Sequence, residues 1–206
     1  IEKLLVGTKI FAQRTKGVGA ISAPEAIQWG YTGPMLRACG VSLDLRKAQP
    51  YYGYDSLDFD IPIGTNGDIY DRYLVRIEEM RQSIRIIEQV ICNVPGGDYT
   101  IHDKSIVLPD KKDVYGNIEG LMNHFMLIVK GLRPPVGEVY DSTEAANGEL
   151  GFYLVSDGSA HPYRLKVRPP CFAIFQSYPS IVKGSLIADA IATVASMNII
   201  AGELDR

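Results

Sequence analysis

The side chains able to hold a metal or move a proton are few and scattered. His102, His124 and His161 have no second ligand at helical spacing and no HExxH pattern, so zinc-type coordination has no basis in their positions. Each reads as a surface or packing residue. Cys39, Cys92 and Cys171 stand far apart and form no CxxC, which argues against a disulfide framework and a cysteine-built metal site, and fits reduced thiols in an intracellular compartment. The run "GVGAISAPEA" lacks both the GxGxxG fingerprint and a preceding strand. Asp44, Asp55, Asp58, Asp60 and Asp68 crowd one region, but their spacing does not match a calcium loop; they read as turn-making, solvated carboxylates. No nucleophile has a base beside it. The expectation is a chain with no catalytic residue and no metal ligand of its own.

All five of those aspartates fall in residues 31 to 68, a stretch with neither a helical nor a strand period, in which Arg37 and Arg46 sit among small and apolar residues. Compact domains seldom hold so long an irregular segment without a use for it. The expectation is that it lies against a partner surface, with Arg37 reaching across the boundary between chains because its neighbours leave it few local partners.

Around that stretch the elements are easier to place. The 206 residues are 46% hydrophobic with a formal charge of −3, a folded globular composition that gives no electrostatic case for nucleic acid. Residues 2 to 14 have a helical period, and "SAPEAIQWG" is a capped short helix with Ser22 at the N-cap, Pro24 in the first turn and Glu25 reaching back. From about Ile69 to Val94, the residues Tyr70, Tyr73, Ile77, Met80, Ile84, Ile87, Ile91 and Val94 lay one apolar stripe along a helix that should bury it in a bundle. Arg76 with Glu79 and Arg85 with Glu88 are spaced to pair within it. A second helix spans about Asn117 to Lys130. "EVYDSTEA", "GELGFYLVSDG" and "HPYRLKVRPP" then read as three short strands with turns at Asn147-Gly148 and Asp157-Gly158. A last apolar helix begins near Ser180; with Asp189 and several Ser, Thr and Asn residues between Gly184 and Ala201, it is too polar for a membrane span.

Four longer motifs, "GPMLRACGVSLDLRKAQPY", "DFDIPIGTNGDIYDRYLVRIEEMRQSIRII", "GELGFYLVSDGSAHPYRLKVRPPCF" and "GELDR", closely resemble the D subunit of respiratory complex I, the NADH:quinone oxidoreductase. The resemblance runs from end to end. It implies an α+β, mainly α fold: a helical bundle like the large subunit of nickel-iron hydrogenases, with a small antiparallel sheet inserted near residues 138 to 168. The cysteines that hold a nickel-iron centre are missing, so a hydrogenase fails on ligand count. The whole of 1 to 206 is then one domain, the C-terminal half of a D-type fold, either a fragment or one piece of a protein encoded in two. It starts after the segments that supply the histidine and tyrosine for the quinone headgroup.

For function, the resemblance implies a peripheral-arm core subunit that frames the quinone-reduction site and couples electron flow from NADH to quinone reduction and proton translocation. An alternative is a half-subunit that serves only as scaffold. The cofactors implied are a ubiquinone-like quinone at a shared site, a [4Fe-4S] cluster on the neighbouring subunit, and NADH bound elsewhere. The partners implied are a cluster-bearing B subunit, other peripheral-arm and membrane-arm subunits, and an N-terminal half as a separate chain. The location implied is the matrix side of the mitochondrial inner membrane or the cytoplasmic side of a bacterial plasma membrane, peripheral in either case. On the resemblance, Asn198, Ile200, Glu203 and Arg206 belong to the quinone cavity, and Gly33, Pro34, Met35, Leu36 and Arg37 face the cluster-bearing neighbour. Two positions depart from the family pattern: Asn198 stands where an aspartate is usual and Asn147 where a lysine is common.

Overall fold

The computed structural model describes residues 5–103 and 105–205. Prolines and glycines divide the first part into short helices: α1 (Lys9–Thr15), α2 (Ala23–Gln28), α3 (Gly33–Ala38) and α4 (Leu45–Ala48), followed by a 3-10 turn at Tyr54–Ser56. Helix α2 sits where the capping pattern puts it, with Pro24 in its first turn, although the Ser22 side chain makes no cap hydrogen bond. The stretch from 31 to 68 is less irregular than its sequence suggests. Its helices are each a turn or two, too short for a periodicity argument to find.

Helix α5 (Ile69–Asn93) is the 25-residue element that the apolar stripe predicts. Helices α6 (Lys111–Gly116) and α7 (Ile118–Lys130) come next, the first unforeseen and the second capped by Asn117, whose Oδ1 accepts from the Gly120 N–H at 2.5 Å. Strands β1 (Gly137–Ala145), β2 (Gly148–Ser156) and β3 (Arg164–Arg168) form a three-stranded sheet in the order β1-β2-β3, as the period-two alternation predicts. Helices α8 (Pro170–Gln176) and α9 (Tyr178–Val182) follow the sheet, and the apolar helix expected from near Ser180 begins later, as α10 (Ile187–Met197), with a last turn α11 (Ala201–Leu204). Among the described residues no helix is long and apolar enough to cross a membrane.

The packing resolves into two compact units. The first comprises residues 1–93, 142–151 and 168–206; the second comprises 94–141 and 152–167. In the first, Ile21, Ala26, Tyr31, Met35, Leu36, Cys39, Ile174 and Met197 make the apolar core, and the Tyr31 hydroxyl meets Ser177 Oγ inside it. In the second, α7 leaves Ile118, Phe125, Ile128 and Val129 more than half exposed.

The stripe on α5 is not buried as expected. Only Ile69, Val75 and Ile86 among its apolar residues are buried, while Met80, Ile84, Ile87 and Ile91 are 53% to 72% exposed. The period is right; nothing among the described residues covers that face.

Candidate functional site

Helix α3 begins at Gly33, which has φ of 66°. A Cβ there would stand 2.4 Å from Gly148 Cα, so the start of α3 and the start of β2 touch backbone to backbone. Pro34, Met35, Leu36 and Arg37 follow, all buried. Arg37 is not short of local partners, contrary to expectation. Its Nε donates to Glu79 Oε1 at 2.7 Å, and its Nη1 donates to Glu144 Oε1 at 2.7 Å and to the Leu43 carbonyl at 2.8 Å. The guanidinium thereby ties α3 to α5 and β1 while 2% exposed.

Two cations and three carboxylates share this cluster. Asp44, 3.7 Å from Arg37, also takes Arg46 through Nε at 3.0 Å and Nη2 at 2.6 Å, and its Oδ1 accepts the Arg46 N–H at the start of α4. Burial pushes the Asp44 carboxyl up, but the hydrogen bonds and charge of Arg46, with Arg37, hold it below the ordinary aspartate value. Burial pushes Glu79 up, and there it outweighs the charge of Arg37. Neither helix pairing expected from sequence forms: Glu79 is taken by Arg37, and Arg85 reaches Asp58 and, at 3.1 Å, Asp60. A cavity of about 440 Å³ borders Arg37, Arg46, Glu79 and Glu144.

The second cluster lies at the end of α10. Asn198 takes the left-handed conformation, φ 54° and ψ 49°, that ends the helix, which asparagine tolerates better than most residues. Its Nδ2 donates to Asn147 Oδ1 at 2.8 Å, and Asn147 Nδ2 donates to the Asn198 carbonyl at 2.9 Å and to Cys171 Sγ at 3.3 Å. Glu203 Oε2 accepts the Cys171 N–H at 3.1 Å. Burial, together with Glu203, pushes the Cys171 thiol up. Asn198, Ile200 and Glu203 thus fall on one short segment fastened to α8 and the β1–β2 turn, with Ile200 48% exposed. Arg206 lies outside the described residues.

A cavity of about 480 Å³ opens beside Asn198, between α1, α5 and α10, with Phe11, Ile69, Tyr73, Arg76 and Ser196 in its wall. Arg76 Nη1 donates to the Ser196 carbonyl at 2.6 Å. Arg72, fully buried, donates to Ser196 Oγ at 3.0 Å and to the carbonyls of Gly19 and Gly67 at 2.6 and 2.9 Å. On sequence Tyr73 is one residue of an apolar stripe, Arg76 one of a pair with Glu79, and Arg72 unremarked. The visible signal is two arginines four apart beside the stripe at one end. Asp189, the lone charge of the apolar helix, pairs with Arg14 at 2.7 Å across the same cavity's flanking helices.

Among the described residues no three His, Cys, Asp or Glu side chains gather as metal ligands. His102 meets Asp98 at 2.9 Å on the surface. Cys39 and Cys171 are buried and Cys92 exposed, all as free thiols.

A mainly helical first unit, a small antiparallel sheet and these two polar clusters accompany a match over residues 1–206 to the family described as respiratory-chain NADH dehydrogenase, 49 Kd subunit, and the chain belongs to that family. It is 83% identical over 203 residues to the fused C/D subunit of the NADH-quinone oxidoreductase of Bdellovibrio bacteriovorus, covering 98% of this chain and 36% of that protein. It is 55% identical to the D subunit of the same enzyme from Myxococcus xanthus, over 100% of this chain and 50% of that one, and 47% identical to the D subunit from Paramagnetospirillum magneticum, over 100% and 53%. The chain spans about half the length of these two D-type relatives and about a third of the C/D relative. All three relatives are bacterial, which gives the mitochondrial expectation no support.

Proposed function

We propose that this chain acts within NADH-quinone oxidoreductase as the part of the D-type core that frames the quinone-reduction site, coupling electron flow from NADH to quinone reduction and proton translocation. The observation that carries the reading is the anchored C-terminal segment: Asn147, Cys171 and Glu203 hold it by hydrogen bonds, and it places Asn198 at the edge of a cavity and leaves Ile200, two residues on, exposed. A cavity wall of this kind needs rigid backbone behind exposed apolar and amide groups. Asn198 and Ile200 would touch a ubiquinone-like ligand and Glu203 would fix the segment. A hydrogenase-like bundle built from this chain and a complementary N-terminal half belongs to the same proposal.

The electron donor in this reading is a [4Fe-4S] cluster on a neighbouring, B-type chain. Gly33, Pro34, Met35, Leu36 and Arg37 would serve that interface from behind, since their side chains are buried within this chain and shape its surface rather than meet a neighbour directly. Other peripheral-arm and membrane-arm subunits complete the set of partners, on the cytoplasmic side of a bacterial plasma membrane.

The test uses Ile200→Trp and Asn198→Ala in the assembled enzyme. Quinone reduction should fall and quinone-site inhibitor affinity weaken at least about tenfold, an effect of the size expected for a filled pocket or a lost polar contact, while NADH oxidation by an artificial acceptor taking electrons upstream stays unchanged. Normal quinone kinetics and inhibitor binding in both variants would leave this chain the role of scaffold only.

A further inference from the structure

The last turn of α10 carries no basic residue, and Asn198, in the left-handed conformation, closes it with a 3.3 Å hydrogen bond from its N–H to the Ala195 carbonyl. The other carbonyls at a helix end need donors from elsewhere, and the negative end of the dipole favours cations. Both come from α5. Arg76 Nη1 donates to the Ser196 carbonyl at 2.6 Å, and Arg72 Nη1 donates to Ser196 Oγ at 3.0 Å. The two arginines are four residues apart and so stand on the same side of α5.

The Ser196 hydroxyl fits this arrangement in both of its roles. It donates to the Thr193 carbonyl at 2.7 Å, which leaves its oxygen to accept from Arg72. Arg72 is anchored in turn: it is fully buried, and its Nη2 donates to the carbonyls of Gly19 and Gly67 at 2.6 and 2.9 Å. The backbone at Gly19 also abuts α10, since its φ is 59° and a Cβ there would stand 2.7 Å from Thr193 Oγ1. The charge of Arg76 is offset by Glu79, one turn further along α5. From Ser196 it is two residues to Asn198, whose amide and carbonyl meet Asn147. Asn198 is thus held through α5 on one side and through the β1–β2 turn on the other.

We propose that Arg72 and Arg76 are positioning residues for the quinone-reduction site: through Ser196 they fix the end of α10, and with it the place of Asn198 at the cavity edge. The inference rests on the quinone reading given above and adds to it the part played by α5. Arg76, Ser196 and Asn198 border the same cavity of about 480 Å³, so a shift of the α10 end changes its shape where Asn198 stands. Hydrogen bonds from charged donors are stronger than neutral ones, and a binding wall loses affinity when the groups behind it loosen by a fraction of an ångström. Neither arginine has to touch the quinone.

The test uses the assembled enzyme, with quinone kinetics and quinone-site inhibitor affinity expressed per unit of NADH oxidation by an artificial acceptor, so that a change in assembly does not count. Ser196→Ala removes an acceptor of Arg72. It should weaken inhibitor binding and raise the quinone KM about fivefold, the effect of one hydrogen bond, with kcat within about twofold of wild type. Ser196→Thr keeps the hydroxyl and should stay within about twofold of wild type in affinity, whereas Arg76→Met should match Ser196→Ala. Because the effect runs through Asn198, adding Ser196→Ala to Asn198→Ala should cost less than about a further twofold. Unchanged affinity in either Ser196→Ala or Arg76→Met, beside a weakened Asn198→Ala, would overturn this inference and leave the quinone reading standing; unchanged affinity in Asn198→Ala as well would overturn both. The whole loss repeated in the double variant would show that Ser196 acts by another route, and would also overturn the proposal.

Discussion

Asn147 and Asn198, 51 positions apart, exchange two hydrogen bonds: Asn198 Nδ2 to Asn147 Oδ1 at 2.8 Å, and Asn147 Nδ2 to the Asn198 carbonyl at 2.9 Å. The two positions at which the resemblance implies a different residue are therefore one contact. An amide pair is self-complementary, whereas a lysine facing an asparagine or an aspartate facing an asparagine is not. Asn147→Lys alone, at a position 2% exposed, should cost about 3 kcal/mol by burying a cation without a partner. Asn198→Asp alone gives up the Nδ2 donor and should cost about 1 kcal/mol. The double variant should recover at least about 1 kcal/mol of the summed loss through a charge-assisted contact. Chemical denaturation of the four members of the cycle measures this; strictly additive costs would show that the amides act independently.

Arg37→Met tests the other cluster. It removes a guanidinium that is 2% exposed and leaves Glu79, Glu144 and Asp44 facing one another, which should cost about 3 kcal/mol or more. Glu144→Gln, which keeps the shape and removes one of three negative charges, should cost less. Equal denaturation midpoints for wild type and Arg37→Met would show that the buried cluster is held by packing alone.

The acid dependence of stability follows from Asp44. Its folded pKa is depressed, so its contribution is full above the ordinary aspartate value of about 4 and is lost as pH falls through the lower folded value. Asp44→Asn should be destabilising at neutral pH and cost progressively less below about pH 4. Glu79 has the opposite sign: its folded pKa is raised, so its contribution is full below the ordinary glutamate value and is lost as pH rises through the folded one. Stability of Asp44→Asn and Glu79→Gln against pH, measured by denaturant titration, should diverge in opposite directions on acidification.

What the sequence discloses here is what repeats. The 25 residues of α5 and the three strands are long enough for their periods to show, and both are where periodicity puts them. Helices α3 and α4 are not, because six and four residues hold no period. Arg37 illustrates the harder limit. Its partners Glu79 and Glu144 are 42 and 107 positions away, and nothing in the local run "GPMLRACG" announces them. The exposed stripe is the reverse case: sequence says correctly that the face is apolar, but a period does not say what packs on it, and nothing among the described residues does.

Gly33 offers a test of the contact between α3 and β2. Alanine there meets two penalties, a positive φ of 66° and a Cβ 2.4 Å from Gly148 Cα and 2.7 Å from the Asn147 carbonyl. Backbone cannot step aside as a flexible side chain does. Gly33→Ala should cost at least about 2 kcal/mol, and it should also loosen the Asn147–Asn198 exchange, since Asn147 adjoins the point of collision. Amide hydrogen exchange at Gly148 and Glu149, whose N–H donates to Thr32 Oγ1 at 3.0 Å, reads this locally. Unchanged protection there would place the strain elsewhere.

Thiol chemistry separates the three cysteines by environment. Cys39 lies in the apolar core and donates to the Met35 carbonyl at 3.2 Å; burial, against the weaker influence of the Arg72 charge, pushes its pKa up to about 11. Only the thiolate attacks an alkylating reagent, and at about pH 8 roughly one Cys39 in a thousand would be ionised even if the reagent could reach it. Cys171 is raised as well, by burial and then by Glu203, and is shielded by Asn147. Cys92 is exposed near the end of α5. Iodoacetamide at about pH 8 should therefore modify Cys92 in the native protein and reach Cys39 and Cys171 only after denaturation, as peptide mass mapping would record. Asn147→Ala removes the amide over Cys171 Sγ without touching the core around Cys39, so it should speed alkylation of Cys171 and leave Cys39 protected. Labelling of both buried cysteines together in that variant would mean that the Asn147 contact helps to hold the whole first unit closed, rather than only the segment that carries Asn198.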